Sequence, residues 1–405
     1  MVVVPAVSTR SREWTPVLTG IRAELLDCLQ ANLAVLADHA YRPGAHLALG
    51  AAPRFHCATG AAGVAVTASV EQRLSEAAAL LGLRSAQRWD DVSGPRLRAL
   101  LADHSPLYVV ADTFTMTWLP YAGNQHMEHS FLLVEAGEHC VVVDGYHNST
   151  PWGDARPGTW RMPAAAFDAA VPRADAMTIV AGGAPVLDRA AVLRDNAAAA
   201  RADAGRVEGY LTAVRSRADD PDGAAQLVLD IWLLGRSRAL HAAWLADDPA
   251  TAGAAREAAE RADAWRALAG QSYVAMRRVR RGGAFPGHVL DQLTGLLSDE
   301  GALAGRLAVP SGGPAADPGR IRETLAEEVR AALGISPDTP VDGRPLRALP
   351  GFNSFRLVEV IERVETRLGV ELDPDELTGA ALHDLDSLSA AFGRARPAAQ
   401  EVPGR

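Results

Sequence analysis

The chain of 405 residues contains no lysine, so its 40 basic side chains are all arginine. It has three cysteines, an odd and small number that excludes a disulfide framework and favours a reducing compartment. No run of about 18 apolar residues could form a membrane-spanning helix. The first residues also lack the basic segment and long apolar core of a secretory signal. We therefore predict a cytoplasmic protein without a membrane partner.

The net charge of −9 argues against nucleic acid as a partner. A hydrophobic content of 48% is typical of a globular protein, and the length allows two or three domains. The sequence shows neither a P-loop nor a Cys/His spacing suited to zinc, so it predicts no bound metal.

Helices and strands are mixed in residues 1–184. Leucines at helical spacing predict a helix over residues 20–40. Apolar runs at 130–136 and 140–145 predict two strands joined by a tight turn, and Tyr108–Asp112 and Met177–Val180 are further strand candidates.

The remainder is helical in pattern. We predict a helical region at 185–306, a linker rich in proline and glycine at 307–319, a small helical domain at 320–392 and a tail at 393–405. One helix of the 185–306 region is predicted to be well buried because of its apolar residues Leu227, Leu229, Ile231, Trp232 and Leu240.

Ser354 begins an amphipathic helix after the short loop Leu349-Pro-Gly-Phe-Asn353. In isolation such a serine is usually an ordinary helix N-cap. With the preceding helix and the segment Ala380–Leu385, however, the pattern resembles acyl and peptidyl carrier proteins. The resemblance implies a four-helix carrier domain at 320–392, with 4'-phosphopantetheine attached to Ser354 by a phosphopantetheinyl transferase.

Two details of this segment concern the attachment residue. Carrier proteins usually have aspartate before the serine, and Asn353 lacks the charge that the transferase usually meets. Asp386-Ser387-Leu388 matches the usual tripeptide literally. It lies too near the end of the domain and precedes no amphipathic helix of the right length, so we reject Ser387.

The helix after Ser354 carries an acidic series, Glu359, Glu362 and Glu365. Such a surface suits an arginine-rich partner. The segment Met276–Arg281 is one candidate for docking of the carrier domain, and a simple solvated basic face is the alternative.

Cys28, His129 and Asp144 form a second set of candidate residues. Cys28 lies near the start of a helix, His129 begins a strand and Asp144 ends the next strand. If the hairpin pairs residues whose numbers sum to about 273, His129 faces Asp144 directly. A lone cysteine is more often a core residue, which is our interpretation of Cys57 and Cys140.

These residue types suit nucleophilic catalysis by a thiolate. A helix N-terminus and a nearby imidazolium are expected to lower the pKa of the Cys28 thiol. His129 would return a proton to the leaving group, and Asp144 would orient the imidazole. His126 is a competing candidate for the base, and Asp144 could simply end its strand. Four aromatic residues are candidates for a substrate pocket or for the core: Trp118, Tyr121, Tyr146 and Trp152.

Cysteine on an early helix, histidine on a strand and an acid on the following strand resemble papain-like enzymes. Related examples are bacteriocin-leader peptidases and the acyl-transfer protein of butirosin biosynthesis. Over residues 1–305 the chain resembles the cysteine-protease-like condensation enzymes of lincosamide antibiotic assembly (celesticetin and lincomycin type). This implies an α+β chain: a papain-like cysteine protease fold with a helical extension, followed by the carrier domain.

The resemblance also implies a reaction and its partners. A proline-type aminoacyl group, activated by an adenylating enzyme, would pass from the carrier to Cys28 and then to the amine of a thio-sugar. The alternatives are a thioesterase or cysteine peptidase of the same fold, and a non-catalytic scaffold that docks carriers. Papain-like enzymes commonly have an oxyanion-hole glutamine six residues before the cysteine, where this chain has Arg22. We assign no such role to Gln30 or Asn32, because a helix would point them elsewhere.

Overall fold

The computed structural model describes residues 9–60, 63–308, 318–336, 339–368, 370–372, 377–379, 381–393 and 395–397. The chain divides into two compact units, Met1–Arg306 and Leu307–Arg405. Most of the predicted linker, residues 309–317, and most of the predicted tail lie outside the described residues. In the parts of the chain that the structure describes, no helix is both long and apolar enough to cross a membrane.

The first half of the larger unit contains five α-helices and ten strands in the ranges described. The helices are α1 (Thr9–Gly20), α2 (Gln30–Ala40), α3 (Val70–Leu81), α4 (Gly94–Leu101) and α5 (Ala164–Ala170). The strands are β1 (Cys57–Gly60), β2 (Gly63–Val66), β3 (Leu83–Val92), β4 (Leu107–Asp112), β5 (Glu128–Glu135), β6 (His139–Asp144), β7 (Asn148–Thr150), β8 (Gly153–Ala155), β9 (Gly158–Pro163) and β10 (Ala174–Ala181). The strands predicted at Tyr108 and Met177 are confirmed as β4 and β10.

Six of these strands form one antiparallel sheet in the order β3-β10-β4-β5-β6-β9. The central strands are almost continuously apolar and buried, which is why they occupy the middle of the sheet. Helix α2 contributes Leu33, Ala34 and Val35, all fully buried, to the same core. The sheet and α2 therefore fix the ends of β5 and β6 relative to the start of α2.

The hairpin of β5 and β6 has a different register from the predicted one. Leu132 pairs with Val143 and Leu133 with Val142, so paired numbers sum to 275 rather than 273. A register shift between Leu133 and Glu135 inserts one extra residue beside the turn. Because a slip of two residues keeps every side chain on its own face, the His129 and Asp144 side chains still share one face of the sheet.

The predicted helix over residues 20–40 is wrong in its first half. Ala23–Leu25 form a short 3₁₀ helix, and α2 begins only after Asp27. The Asp27 side chain accepts hydrogen bonds from the backbone N–H groups of Leu29 and Gln30, at 3.0 and 2.8 Å. It therefore ends the irregular segment and caps a new helix.

The second half of this unit is helical. Its helices are α6 (Arg189–Ala202), α7 (Ala204–Arg217), α8 (Pro221–Ala246), α9 (Ala252–Val279), α10 (Gly287–Ser298) and α11 (Glu300–Ala308). Helices α8 and α9 pack along each other, with Leu227, Ile231 and Trp265 in their own core. Leu229, which we predicted to be buried, is 41% exposed.

Helix α8 also connects the helical half to the half that contains the sheet. At Gly50 an added Cβ would lie 2.3 Å from the carbonyl oxygen of Leu240, so only glycine permits this approach. Nearby, Nδ1 of the buried His241 lies 2.7 Å from the Gly50 carbonyl oxygen. Burial of Asp230 raises its pKa to about 6, and its carboxylate accepts the backbone N–H of Val66 on β2 at 3.0 Å.

The smaller unit is built from helices around its own core. It contains α12 (Pro318–Leu333), a 3₁₀ helix at Leu346–Ala348, α13 (Ser354–Leu368), α14 (Leu385–Phe392) and the short strands β11 (Val370–Glu371) and β12 (Arg396–Pro397). Its core is formed by apolar residues of all three α-helices, including Leu325, Val329, Val360, Val364 and Leu388.

The described residues of this unit contain three α-helices and one 3₁₀ helix. One expectation needs correction, because the last helix starts later than the predicted segment. Ala380 lies outside the described residues, and α14 begins only at Leu385. Asp384 sets this boundary by accepting the backbone N–H of Ser387 at 2.8 Å.

Candidate functional site

Cys28 lies in the turn that leads into α2, two residues before Gln30. Asp27 caps the helix, and the side chain of Gln30 accepts the backbone N–H of Asp27 at 3.4 Å, which completes a capping box. Oδ2 of Asp27 also forms a 2.5 Å ion pair with Arg73. The cysteine therefore lies at the helix N-terminus, as the sequence predicted, and the backbone around it is tightly constrained.

The Cys28 side chain is half-buried at the edge of the sheet. Its thiol donates a hydrogen bond to the backbone carbonyl of Glu128, with Sγ and O 3.4 Å apart. The Cys28 carbonyl in turn accepts the hydroxyl of Ser130 at 2.6 Å. Cys28 is thus hydrogen-bonded to both residues that flank His129. The thiol proton points to the Glu128 carbonyl and not to the imidazole.

The expected lowering of the Cys28 pKa is not found. Burial raises the pKa of the thiol, and the carboxylates of Asp27 and Asp144 raise it further. The Arg73 guanidinium opposes this shift. The structure therefore describes a resting site in which the thiol is protonated.

His129 and Asp144 form a fully buried pair at the ends of β5 and β6. Nε2 of His129 lies 2.7 Å from Oδ2 of Asp144. Because the carboxylate can only accept, the proton of a neutral imidazole is on Nε2. Nδ1 is buried and has no hydrogen-bond partner among the described residues, which leaves it available to accept a proton.

Asp144 receives three further hydrogen bonds. Trp118 Nε1 donates to Oδ2 at 3.3 Å, while the backbone N–H of Tyr146 and Nδ2 of Asn32 donate to Oδ1 at 3.0 and 3.3 Å. These hydrogen bonds fix the orientation of the carboxylate and offset the free-energy cost of burying it. Sequence reasoning missed this set of donors.

Asn32 is the most informative of the missed residues. It is fully buried, donates to the carbonyl of Ser130 at 2.7 Å and accepts the backbone N–H of Gly145 at 2.9 Å. Our expectation that the helix would point Asn32 elsewhere is wrong. Asn32 follows Cys28 by four residues, about one helical turn, and that spacing brings both side chains to the same side, a signal the sequence contained.

Aromatic side chains surround the pair unequally. Tyr146 packs edge-on against the imidazole of His129, with ring centroids 5.1 Å apart. The hydroxyls of Tyr146 and Tyr121 are 3.3 Å apart, and Trp152 is largely exposed. Of the four pocket candidates, Trp118 and Tyr146 contact the site, Tyr121 supports Tyr146, and Trp152 lies outside it.

The competing candidates lie elsewhere. His126 is exposed, stacks on Phe114 and lies 2.5 Å from the carboxylate of Asp112. The Arg22 side chain is paired with Glu24. The structure therefore brings Cys28, His129 and Asp144 together and separates His126 from them.

Ser354 is exposed at the first position of α13. The helix is capped by Asn353, whose side-chain oxygen accepts the backbone N–H of Arg356 at 2.9 Å. The alternative interpretation of Ser354 as the N-cap is therefore wrong. Beside it, Phe355 is 88% exposed, which is unusual for so large an apolar side chain.

Ser387 lies in the first turn of α14, a helix of eight residues. Its backbone N–H is bound by the capping Asp384, and neighbouring Asp386 pairs with Arg322. The serine is half-buried, in contrast to Ser354.

The basic segment predicted as a docking surface lies at the end of α9. Its arginines at positions 277, 278, 280 and 281 are exposed. Tyr273 and Val274, one turn earlier, are exposed apolar residues and line a shallow groove with three of these arginines. The segment thus combines positive charge with accessible apolar surface.

Comparison with known proteins assigns the smaller unit. Residues 323–392 match the family described as the phosphopantetheine attachment site. This unit is therefore a carrier domain, which bears 4'-phosphopantetheine covalently on a serine and implies partner enzymes such as a phosphopantetheinyl transferase. The chain takes part in phosphopantetheine-dependent biosynthesis. The match does not extend to Cys28, His129 or Asp144, and no curated protein matches the chain.

Proposed function

We propose that this chain is a cysteine-dependent acyltransferase that forms an amide. In this proposal an acyl group moves from the carrier domain to Cys28 and then to an amine acceptor. The observation that carries it is the buried 2.7 Å contact between His129 and Asp144 next to a half-buried thiol, on a chain that also contains a carrier domain. A papain-like arrangement of helix, strand and strand supports the same proposal.

Ser354 is the proposed attachment residue. Its hydroxyl is exposed at the start of α13, where a covalent arm can be added without displacing a packed side chain. When bound, phosphopantetheine supplies a thiol on which the acyl group is presented as a thioester. Ser387 suits this role less well because it is half-buried in a short helix.

In the first step Cys28 attacks the acyl carbonyl. The thiol proton leaves the Glu128 carbonyl and moves to Nδ1 of His129, for which the described residues offer no hydrogen-bond partner. A bond forms between Sγ and the acyl carbon, and the bond from that carbon to the departing sulfur breaks. His129 then gives its proton to the departing sulfur, while Asp144 stabilises the transient imidazolium.

In the second step the acceptor amine attacks the acyl group on Cys28. The new C–N bond forms, the bond to Sγ breaks, and the amine proton returns to the cysteine through His129. The backbone N–H of Cys28 is free of helical bonding at this position and suits the developing oxyanion. Conversion of a thioester to an amide is downhill, so this step needs no nucleotide.

The resemblance to lincosamide condensation enzymes supports a specific donor and acceptor. We propose a proline-type aminoacyl group, loaded by an adenylating enzyme, and the amine of a thio-sugar. We also propose that the carrier domain docks on the exposed arginines 277, 278, 280 and 281, because the carrier is acidic and the first turn of α13 contains the exposed Phe355.

The test is intact-protein mass spectrometry of the phosphopantetheinylated, aminoacyl-loaded chain, with and without an amine acceptor. Wild type is expected to carry the acyl group first on the carrier and then on Cys28, and to release amide when the amine is added. Cys28→Ala should retain the acyl group on the carrier and form no amide. Cys57→Ala, which removes another half-buried thiol, is the matched control and should behave as wild type.

Three outcomes would contradict the proposal. Acyl loss at the same rate with and without amine would indicate a thioesterase. Amide formation by Cys28→Ala would favour a scaffold whose cysteine is not catalytic. Failure of the chain to gain the phosphopantetheine mass would remove the carrier from the reaction.

A further inference from the structure

Arg236 of α8 binds three backbone carbonyls in the sheet-containing half. Its guanidinium donates to the carbonyl oxygens of Ala23, at 3.2 Å, and of Leu26, and to that of His147, at 2.8 Å. A planar guanidinium with five donors suits such a bridge, whereas a lysine ammonium would not span it.

The three carbonyls lie on the two loops that carry the candidate catalytic groups. Leu26 precedes Cys28 by two residues, and His147 follows Asp144 by three. Cys28 and Asp144 belong to elements far apart in the chain, so their spacing depends on what joins these loops. Arg236 joins them through these carbonyls.

Burial of the Arg236 guanidinium removes part of its hydration, which is unfavourable. Burial lowers its pKa, and Asp27, whose charge raises that pKa, forms its own ion pair with Arg73. The guanidinium instead stacks on Trp232, with Cζ 4.0 Å from the ring centroid. Among the described residues this partly buried cation has hydrogen bonds to carbonyls and no ion pair, which is costly for folding and points to a role beyond stability.

We propose that Arg236 is a positioning residue, which holds the loop of Cys28 against the loop of Asp144 and so makes the helical half part of the active unit. This inference rests on the proposed function, since it assigns Arg236 to that site. Arg236 has a second effect through its charge. Attraction between the guanidinium and a Cys28 thiolate raises the pKa of Arg236, and by reciprocity it favours the thiolate.

The experiment compares Arg236→Gln with wild type in the full chain. The rate of Cys28 alkylation by iodoacetamide is followed by peptide mass spectrometry from neutral to alkaline pH, with Cys57 as the internal reference. We expect the pH midpoint for Cys28 to rise because a positive charge is removed. We also expect kcat for amide formation to fall roughly 10- to 100-fold, because misplaced catalytic groups react slowly.

Arg189→Gln is the matched control. Arg189 also stacks on a tryptophan, at 4.3 Å from Trp244, and donates to a backbone carbonyl at 2.6 Å, but within the helical half. Its replacement should leave the Cys28 midpoint and kcat unchanged. An unchanged midpoint and kcat in folded Arg236→Gln, or equal changes in both variants, would overturn the proposal.

Arg236→Lys tests the bridge separately from the charge, and it replaces Arg236→Gln if that variant does not fold. The lysine should keep the Cys28 midpoint near that of wild type but lower kcat, since one ammonium cannot bond both loops. A wild-type kcat in this variant would overturn the bridging role. The alkylation midpoint depends only on the thiol, so it stays informative even if no amide product is ever found.

Discussion

Asn353 and Ser354 are adjacent, but their side chains have different environments. The side-chain oxygen of Asn353 accepts the backbone N–H of Arg356, whereas the Ser354 side chain is exposed. An aspartate at 353 could make the same cap and would add the charge usual in carrier domains. Asn353→Asp therefore changes the charge next to Ser354 without removing the cap of α13.

We predict that Asn353→Asp speeds phosphopantetheinylation by up to about fivefold, because an exposed ion pair contributes at most about 1 kcal/mol. Time courses of intact mass with a phosphopantetheinyl transferase measure this rate. Ser354→Ala should gain no mass, and Ser387→Ala should be modified as wild type. Modification of Ser354→Ala would show that another residue carries the arm.

Single residues differ in how far the sequence reveals them. Cys28, His129 and Asp144 could be chosen because their residue types and order suit one chemistry. Asn32 was detectable only through its spacing from Cys28. Arg236 gave no local signal, because its partners are backbone carbonyls about 90 and 210 residues away in the chain.

At the scale of elements, strands and helices were predictable where apolar residues alternate or repeat. The start of α2 was not, because leucines at helical spacing continue through a segment that Asp27 interrupts by capping. The register of β5 and β6 depended on an irregularity beside the turn. The predicted contact between His129 and Asp144 is still found, because a shift of two residues leaves both side chains on the same face of the sheet.

Helix α8 allows a prediction about pH. Asp230 is fully buried, accepts Tyr210 and Gln226 as well as Val66, and has a pKa raised from 3.8 to about 6. The folded state therefore binds this proton more tightly than the unfolded chain does. Its contribution to stability is complete below about pH 4 and is lost as pH rises to about 6.

Asp230→Asn should remove this loss. Relative to wild type, we expect the free energy of unfolding of the variant to rise by on the order of 3 kcal/mol between pH 4 and pH 6. Urea denaturation at a series of pH values measures the difference between the two proteins. Asp222→Asn, an exposed change in the first turn of α8, should track wild type. If both variants track wild type, the carboxyl of Asp230 is not the group responsible.

At the scale of the whole molecule, the chain has separate apolar cores. The core of the carrier unit contains only residues from 321 onwards, and the two cores of the larger unit contain none of them. The boundary between the units falls near the Pro/Gly-rich segment visible in the sequence. The resemblance implied that the helical region at 185–306 completes the domain begun by residues 1–184, and the structure places both in one unit. The sequence did not reveal which contacts join them, such as that of Gly50 with Leu240 of α8.

We predict two transitions in scanning calorimetry of the full chain. Leu325→Ala, in the carrier core, should lower only one transition, by roughly 10 °C or more, because such a cavity costs about 2–5 kcal/mol in a small domain. Leu33→Ala, an equally buried leucine of α2, should lower only the other. A single transition that both variants shift alike would contradict independent folding.

The hydrogen bond from the Cys28 thiol to Glu128 also affects the chain's response to oxidants. Peroxides and disulfides react with thiolates, and burial raises the pKa of Cys28, Cys57 and Cys140 alike. A nucleophile stored as a protonated donor is oxidised slowly while it waits for substrate. In the proposed reaction the thiol becomes reactive when its proton moves to Nδ1 of His129, so the resting thiol would be protected between turnovers.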